Sequence, residues 1–254
     1  ALTFQDDGPT ADVADAAGSV TLDETALLDA DSNDVLGSAT LGGTALTTVF
    51  DGVANKGSDG ADLPQYALST SALASTALST FGQDNDGDGT KVVSLVVHNG
   101  NGSTSGLFTT AGKEIFLFKE GDLIVGRYES NGVGGVTSAD AAAFAIALGQ
   151  DGNVATVQYV SLTHNSAGNN ITPPGSYDEQ VDLSGKVDVK VVVTDGDGDT
   201  AEDTVAIGDD INFEDDGPFA DVADAGGSVT LDETAGLDAD SNDVLGSATL
   251  GGTA

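Results

Sequence analysis

Between residues 186 and 195 the chain reads KVDVKVVVTD, with Val187, Val189, Val191 and Val193 on one face and Lys186, Asp188 and Lys190 on the other. That period of two marks a half-buried strand. AFAIAL alternates likewise at Phe144, Ile146 and Leu148, and GQDGN places a turn at Asp151-Gly152 before VATVQYVSLTH. KVVSLVVH, EIFLFK and DLIVGRY read as further strands, the last two joined at Glu120-Gly121. Helix signals are weak: TSADAAA reads as one turn capped by Ser138, and the apolar spacing of ALSTSALASTALST fits neither period. The pattern predicts an all-β chain, an antiparallel β-sandwich, Ig-like in the broad sense, of roughly eight to ten strands. One large sandwich and two stacked smaller ones both fit it.

A long-period repeat sets the organisation. Residues 1–45 return as residues 210–254, identical at 38 of 45 positions. The chain therefore reads as one full repeat and the opening of the next, in the manner of a tandem array. Residues 1–8 are set down as the tail of a preceding repeat with its linker, and 9–208 as the β-sandwich module. Residues 209–218 follow as an acidic calcium-binding linker, and 219–254 as the truncated start of the next repeat. Residues 219–254 are expected to be held by junction calcium or by strand pairing. Near-identity over such a distance suits spacers and stalks better than enzymes.

Charge changes the picture next. Asp and Glu number 42 against 7 Lys and Arg, for a formal net charge of −35. So much like charge repels itself in a compact state and argues against nucleic acid or an anionic membrane surface as a partner. The apolar content is too high and too well patterned for general disorder. The sequence has no Cys, so disulfides and thiolate metal chemistry are both out. A chain of this kind outside the cell needs another staple, and metal is the usual substitute. No apolar run approaches the length of a membrane-spanning helix.

The carboxylates fall into clusters with ligand spacing. In DNDGDG, Asp84, Asp86 and Asp88 precede Gly89, the opening of a D-x-D-x-D-G calcium loop. Leu95 stands where an EF-hand needs its bidentate Glu, so a helix-loop-helix hand is excluded. DGDGDTAED supplies Asp195, Asp197, Asp199 and Asp203, with Glu202, directly behind the valine strand. The junction GDDINFEDDGP supplies Asp209, Asp210, Glu214, Asp215 and Asp216, and Pro218 stiffens its exit. Asp6 and Asp7 are the first copy of that junction; Asp23 and Glu24 recur as Asp232 and Glu233. LDADSND is a weaker cluster. Alternating hard oxygen donors suit Ca²⁺, with six to eight oxygens in flexible geometry, better than Mg²⁺ or soft metals. The expectation is several Ca²⁺ ions shared where module end, linker and next module meet.

On these residues the sequence resembles the repeat modules of giant RTX adhesins, secreted by type I systems of Gram-negative bacteria. The resemblance rests on VVVTDGDGDTAEDTVAIGDD leading into EDDGP, on SGLFTTAGKEIFLFKEGDLIVGRY and on VQYVSLTH, and spans most of residues 90–218. It implies Ca²⁺-dependent β-sandwich extenders in tandem, at the cell surface and outside the cell, with neighbouring repeats of the same chain as partners. It implies also an adhesion target for a distal region beyond this stretch, a C-terminal secretion signal, and no direct membrane contact. The GGxGxD β-roll motif of RTX proteins does not occur in the sequence. A rival reading is a carbohydrate- or peptide-binding module that uses the loops HNGNGSTSG and HNSAGNNITPPGSYDE, although no Trp exists for stacking on sugars. An enzyme is not expected: G-x-S-x-G is absent, and the two histidines, His98 and His164, lack a triad context.

Overall fold

In a computed structural model of the chain, residues 2–3, 6–24, 32–58, 63–83, 87–132, 134–164 and 179–215 are described, with 226–227, 229–233 and 242 further on. Of the sequence-predicted positions, Asp84, Asp86 and Asp216 lie outside the described residues, as does most of the 164–179 loop. The chain divides into two units, Ala1–Gly217 and Pro218–Ala254.

The first unit is almost entirely β. Its strands in chain order are β1 (Ala14–Asp15), β2 (Val20–Asp23), β3 (Asp34–Val35), β4 (Thr40–Leu41), β5 (Thr44–Ala45), β6 (Gln65–Leu68), β7 (Ala74–Ser75) and β8 (Thr90–Val97). There follow β9 (Ser103–Phe108), β10 (Glu114–Glu120), β11 (Leu123–Tyr128), β12 (Ala141–Leu148), β13 (Val154–Gln158), β14 (Gln180–Asp182), β15 (Val187–Thr194), β16 (Thr200–Ala206) and β17 (Ile211–Glu214). Among the described residues it also has one short helix, α1 (Leu46–Val49), and a 3₁₀ turn at Gly208–Asp210.

The largest sheet has seven strands in the order β3-β6-β13-β12-β11-β10-β9, all antiparallel. Facing it are two three-stranded sheets, β16-β15-β8 and β14-β17-β2. The main core lies between these layers and draws Val187, Val189, Val191 and Val193 from β15, Ile124 from β11, Phe144 and Ile146 from β12, and Phe213 from β17. All four valines of the predicted stripe are wholly buried, each adding roughly 1.5–3 kcal/mol of hydrophobic stabilisation. The hairpins read from the sequence are present: β10 and β11 turn at Gly121, whose φ is +60°, and β12 and β13 at Asp151-Gly152.

At β11, β12 and β13 the seven-stranded sheet is buried on both faces. Its far side carries a second core in which Leu41, Leu46, Phe50 and Val53 cover Val125, Ala145, Ala147, Ala155 and Val157. This explains why AAAFAIAL places large residues toward the main core and alanines toward the covering layer, where little depth remains. A bulge switches the two faces: Gly126 opposes Phe144 and Arg127 opposes Ala142, with Ala143 skipped. TSADAAA is no helical turn. Asp140 closes a tight turn, its N–H donating to the Thr137 carbonyl (3.1 Å) and its Oδ2 accepting from the Thr137 N–H (2.8 Å), and Ala141 goes straight into β12. ALSTSALASTALST resolves into parts of β6 and β7 with turns between them.

One strand pair is parallel. β17 lies beside β2 in the register Ile211↔Val20 to Glu214↔Asp23, so the last strand of the unit closes against the first long one. Part of the stretch set down as linker is therefore a core strand, with Ile211 and Phe213 fully buried.

A candidate metal centre

β15 and β16 are joined by the five residues Asp195–Asp199, closed by the Thr194↔Thr200 pair. Asp195 organises this loop. Its N–H donates to the Asp199 carbonyl (3.1 Å), while its Oδ1 accepts from the N–H groups of Gly198 (3.1 Å) and Asp199 (2.8 Å). Such short-range capping is what an Asp at the head of a turn does well. Gly198, at φ +107°, takes a conformation that L side chains rarely adopt.

The carboxylate of Asp195 is only 3% exposed, and its Oδ2 has no hydrogen-bond partner among the described residues. Asp197 and Asp199 of the same loop and Asp6 from the N-terminal segment, all three exposed, offer carboxylate oxygens within 4.8 Å of one another. Asp197 is pushed above the usual carboxylate range, first by a hydrogen bond shared with the Asp195 side chain and then by the charge of Asp6, with the Asp199 backbone N–H opposing. Clustered carboxylates of this kind call for a proton or a cation between them. The spacing suits Ca²⁺, whose ligand oxygens sit about 2.3–2.6 Å from the ion and so within about 5 Å of each other. All donors are hard oxygens, as that ion prefers. No Lys or Arg occurs between residues 191 and 218 to neutralise the group instead.

Other predicted residues have different places. The Asp203 Oδ2 accepts from the Val13 N–H (2.9 Å), which lowers its pKa and fastens the N-terminal segment to β16. The Asp7 Oδ2 accepts from the Gln83 N–H (2.8 Å). Asp88 and Asp209 are exposed. Asp210 is raised by burial, then by Asp15 and Asp209.

A second acidic group forms at the ends of β2 and β17. The Glu24 N–H donates to the Glu214 carbonyl (3.1 Å), and the Asp23 N–H donates to Asp34 Oδ1 (3.1 Å). The Glu24 Oε1 accepts from the Leu162 N–H (2.6 Å) and from the Gln158 side-chain amide. Burial nevertheless pushes Glu24 up to about 7, with Asp215 adding to the rise. The His164 side chain, fully buried, places Nδ1 3.1 Å from the Asp215 Oδ1, an ion-pair distance without hydrogen-bond alignment. Asp232 and Glu233 belong to the second unit, partly buried and exposed respectively.

The structure thus joins Asp6 to the Asp195–Asp199 loop, and Asp23 and Glu24 to Glu214 and Asp215, in two separate groups. Asp195 was legible as one of an alternating series, but nothing in the sequence marks it as the buried member. Glu24's partners Gln158 and Leu162, far away in sequence, left no signal at all. Among the described residues no helix is long and apolar enough to cross a membrane.

Residues 19–208 match the model of a protein family described as "Domain of unknown function (DUF5801)". No curated protein and no solved structure matches the chain.

Proposed function

The chain belongs to the DUF5801 family, a family whose description assigns no activity, and from that premise we propose that it is a calcium-rigidified extender repeat of a large secreted bacterial adhesin. In this reading the module is an Ig-like sandwich in a tandem array outside the cell, and it holds a distal binding region away from the cell surface. The resemblance to RTX adhesin repeats supports it. The single observation that carries it is the meeting of Asp6, Asp197 and Asp199 beside the buried Asp195. These residues come from opposite ends of the unit's sequence, so one ion there would tie the entering segment to the loop behind β15. Without a cation, three neighbouring carboxylates repel by about 1 kcal/mol per pair in water and by more where solvent is partly excluded. With it, the same charges become cohesive. Asp195 would anchor the loop from inside, and Asp6, Asp197 and Asp199 would complete the oxygen set from the surface.

A calcium titration of the melting temperature tests this, with Mg²⁺ and EDTA as controls. Saturation at a hundredfold excess over Kd contributes about 2.7 kcal/mol, or roughly 5–10 °C for a unit of this size. The rise should be small with Mg²⁺ and absent in Asp197→Asn/Asp199→Asn. A melting temperature indifferent to calcium would leave the loop as solvated charge and overturn the reading.

A further inference from the structure

His164, one of two histidines in the sequence, has its side chain wholly shielded from solvent. Neither of its ring nitrogens has a hydrogen-bond partner among the described residues. Folds rarely keep buried polar atoms in that state without a water, an ion or a ligand beside them. The ring is firmly placed. In the segment before it, the Thr163 N–H donates to the Phe108 carbonyl (2.8 Å), the Thr163 hydroxyl to the Thr109 carbonyl (2.8 Å), and the Leu162 N–H to Glu24 Oε1 (2.6 Å).

Strand ends bring two carboxylates to this region. Asp215 follows β17, and its N–H donates to the Glu179 carbonyl (3.2 Å). Glu24 follows β2; its N–H donates to the Glu214 carbonyl (3.1 Å), and its carbonyl accepts from the Gln65 side-chain amide (3.2 Å). The Glu24 carboxyl feels the charge of Asp215, so the two acids are neighbours. Asp215 Oδ1 and His164 Nδ1 stand 3.1 Å apart without the alignment for a shared proton, which sets lone pair against lone pair. An ion between them reverses the sign. Metal bonds of about 2.0–2.2 Å hold two ligand atoms about 2.9–3.4 Å apart at angles of roughly 90–110°.

We propose that His164, Asp215 and Glu24 form a second metal site, for a divalent transition metal of the Zn²⁺ type rather than for calcium. The imidazole decides the class. Nitrogen donors suit Zn²⁺ and its neighbours in the first transition row, whereas Ca²⁺ takes oxygen ligands. The neutral ring carries its proton on Nε2 and binds through Nδ1. The two carboxylates balance the charge of the ion, and water completes its shell from the side of Asp215, whose side chain is 33% exposed. Such an ion ties the ends of β2 and β17 to the segment behind β13, three stretches far apart in sequence. The site shares no ligand with the group of Asp6, Asp197 and Asp199, so the proposal goes beyond the calcium reading and stands without it.

The test is a Zn²⁺ titration of the full chain in saturating Ca²⁺, read by NMR of the imidazole ring nitrogens. Two histidines make a simple spectrum, and His98, 48% exposed and 2.8 Å from Asp188, is the internal control. The His164 signals should move with one equivalent of Zn²⁺ while those of His98 stay. The melting temperature should rise by roughly 5–10 °C at a hundredfold excess over Kd. Asp215→Asn and Glu24→Gln should each abolish the His164 shift. Asp197→Asn/Asp199→Asn should leave it unchanged, so failure of the calcium reading and failure of this one are told apart. His164 signals that stay put, that move on adding Ca²⁺ and no further with Zn²⁺, or that still shift in Asp215→Asn would overturn the proposal. His164 and Asp215 would then be a plain ion pair.

Discussion

Arg127 is the largest side chain wholly out of solvent among the described residues and the only arginine in the sequence. Its guanidinium grips Glu120 through Nε and Nη2 (2.7 and 2.6 Å), and Nη1 donates to the carbonyls of Ala54 (2.8 Å) and Asp140 (2.7 Å). One charge thus holds the covering layer to the seven-stranded sheet. Arg127→Met would leave a carboxylate and two carbonyls without their donor, at about 3 kcal/mol, and should lower the melting temperature by roughly 6–12 °C in calorimetry. Adding Glu120→Leu should recover part of that loss, because the stranded charge goes with it. Glu24 is the opposite case, a buried carboxyl held by the neutral donors of Leu162 and Gln158. Its folded pKa of about 7 stands above the ordinary 4.5, so the folded state holds more protons between those values. Stability must therefore fall as pH rises from 4.5 to about 7 and level off beyond, by roughly 3 kcal/mol at most. Urea unfolding at a series of pH values in EDTA should show this slope, and Glu24→Gln should flatten it.

Among the elements, β11 and β12 show how closely the layers are fitted. A Cβ on Gly126 would lie 2.5 Å from the Phe144 ring, which in turn packs on Phe213 with centroids 5.0 Å apart. Gly126→Ala must push that ring toward β17. A loss of roughly 1–3 kcal/mol is expected from such overpacking, readable as a lower urea midpoint with an unchanged slope. The strands of this region were legible because Val187 to Val193, Phe144, Ile146 and Leu148 carry the period of two, and because glycine and aspartate mark the turns. The covering layer was not legible. Residues 35–57 bury Leu46, Phe50 and Val53 through two-residue strands and one helical turn, too short for any period to register. The bulge at Ala143 reverses the alternation for a similar reason: it arises from pairing with Gly126 and Arg127, not from local sequence. At the candidate metal centre, the D-x-D-x-D spacing placed Asp195, Asp197 and Asp199 together, and the repeat gave Asp6 its junction character. That Asp6 meets this loop while Asp215 goes to His164 depends on tertiary contacts that no local pattern encodes.

At the scale of the whole first unit, closure rests on the parallel pair of β2 and β17, which ties residues near its start to its last strand. Contacts of such sequence separation cost loop-closure entropy before they contribute anything, so the unit holds only if both partners are present. β17 brings Ile211 and Phe213, both fully buried, and the carbonyl of Glu214 that receives the Glu24 N–H. A chain ended after Gly217 keeps all of these and should melt at the same temperature, with the same cooperativity, as the full chain. A chain ended after Asp210 loses both core side chains and the parallel ladder. Emptying the space of the phenylalanine alone costs about 3–5 kcal/mol, and with the isoleucine and the ladder added the total approaches the whole stability margin of an ordinary domain, about 5–15 kcal/mol. The shorter chain should therefore show no cooperative melting transition, seven residues separating a stable unit from an unstable one. Equal melting of the two truncations would mean that β17 is an appendage, and that the body closes without it.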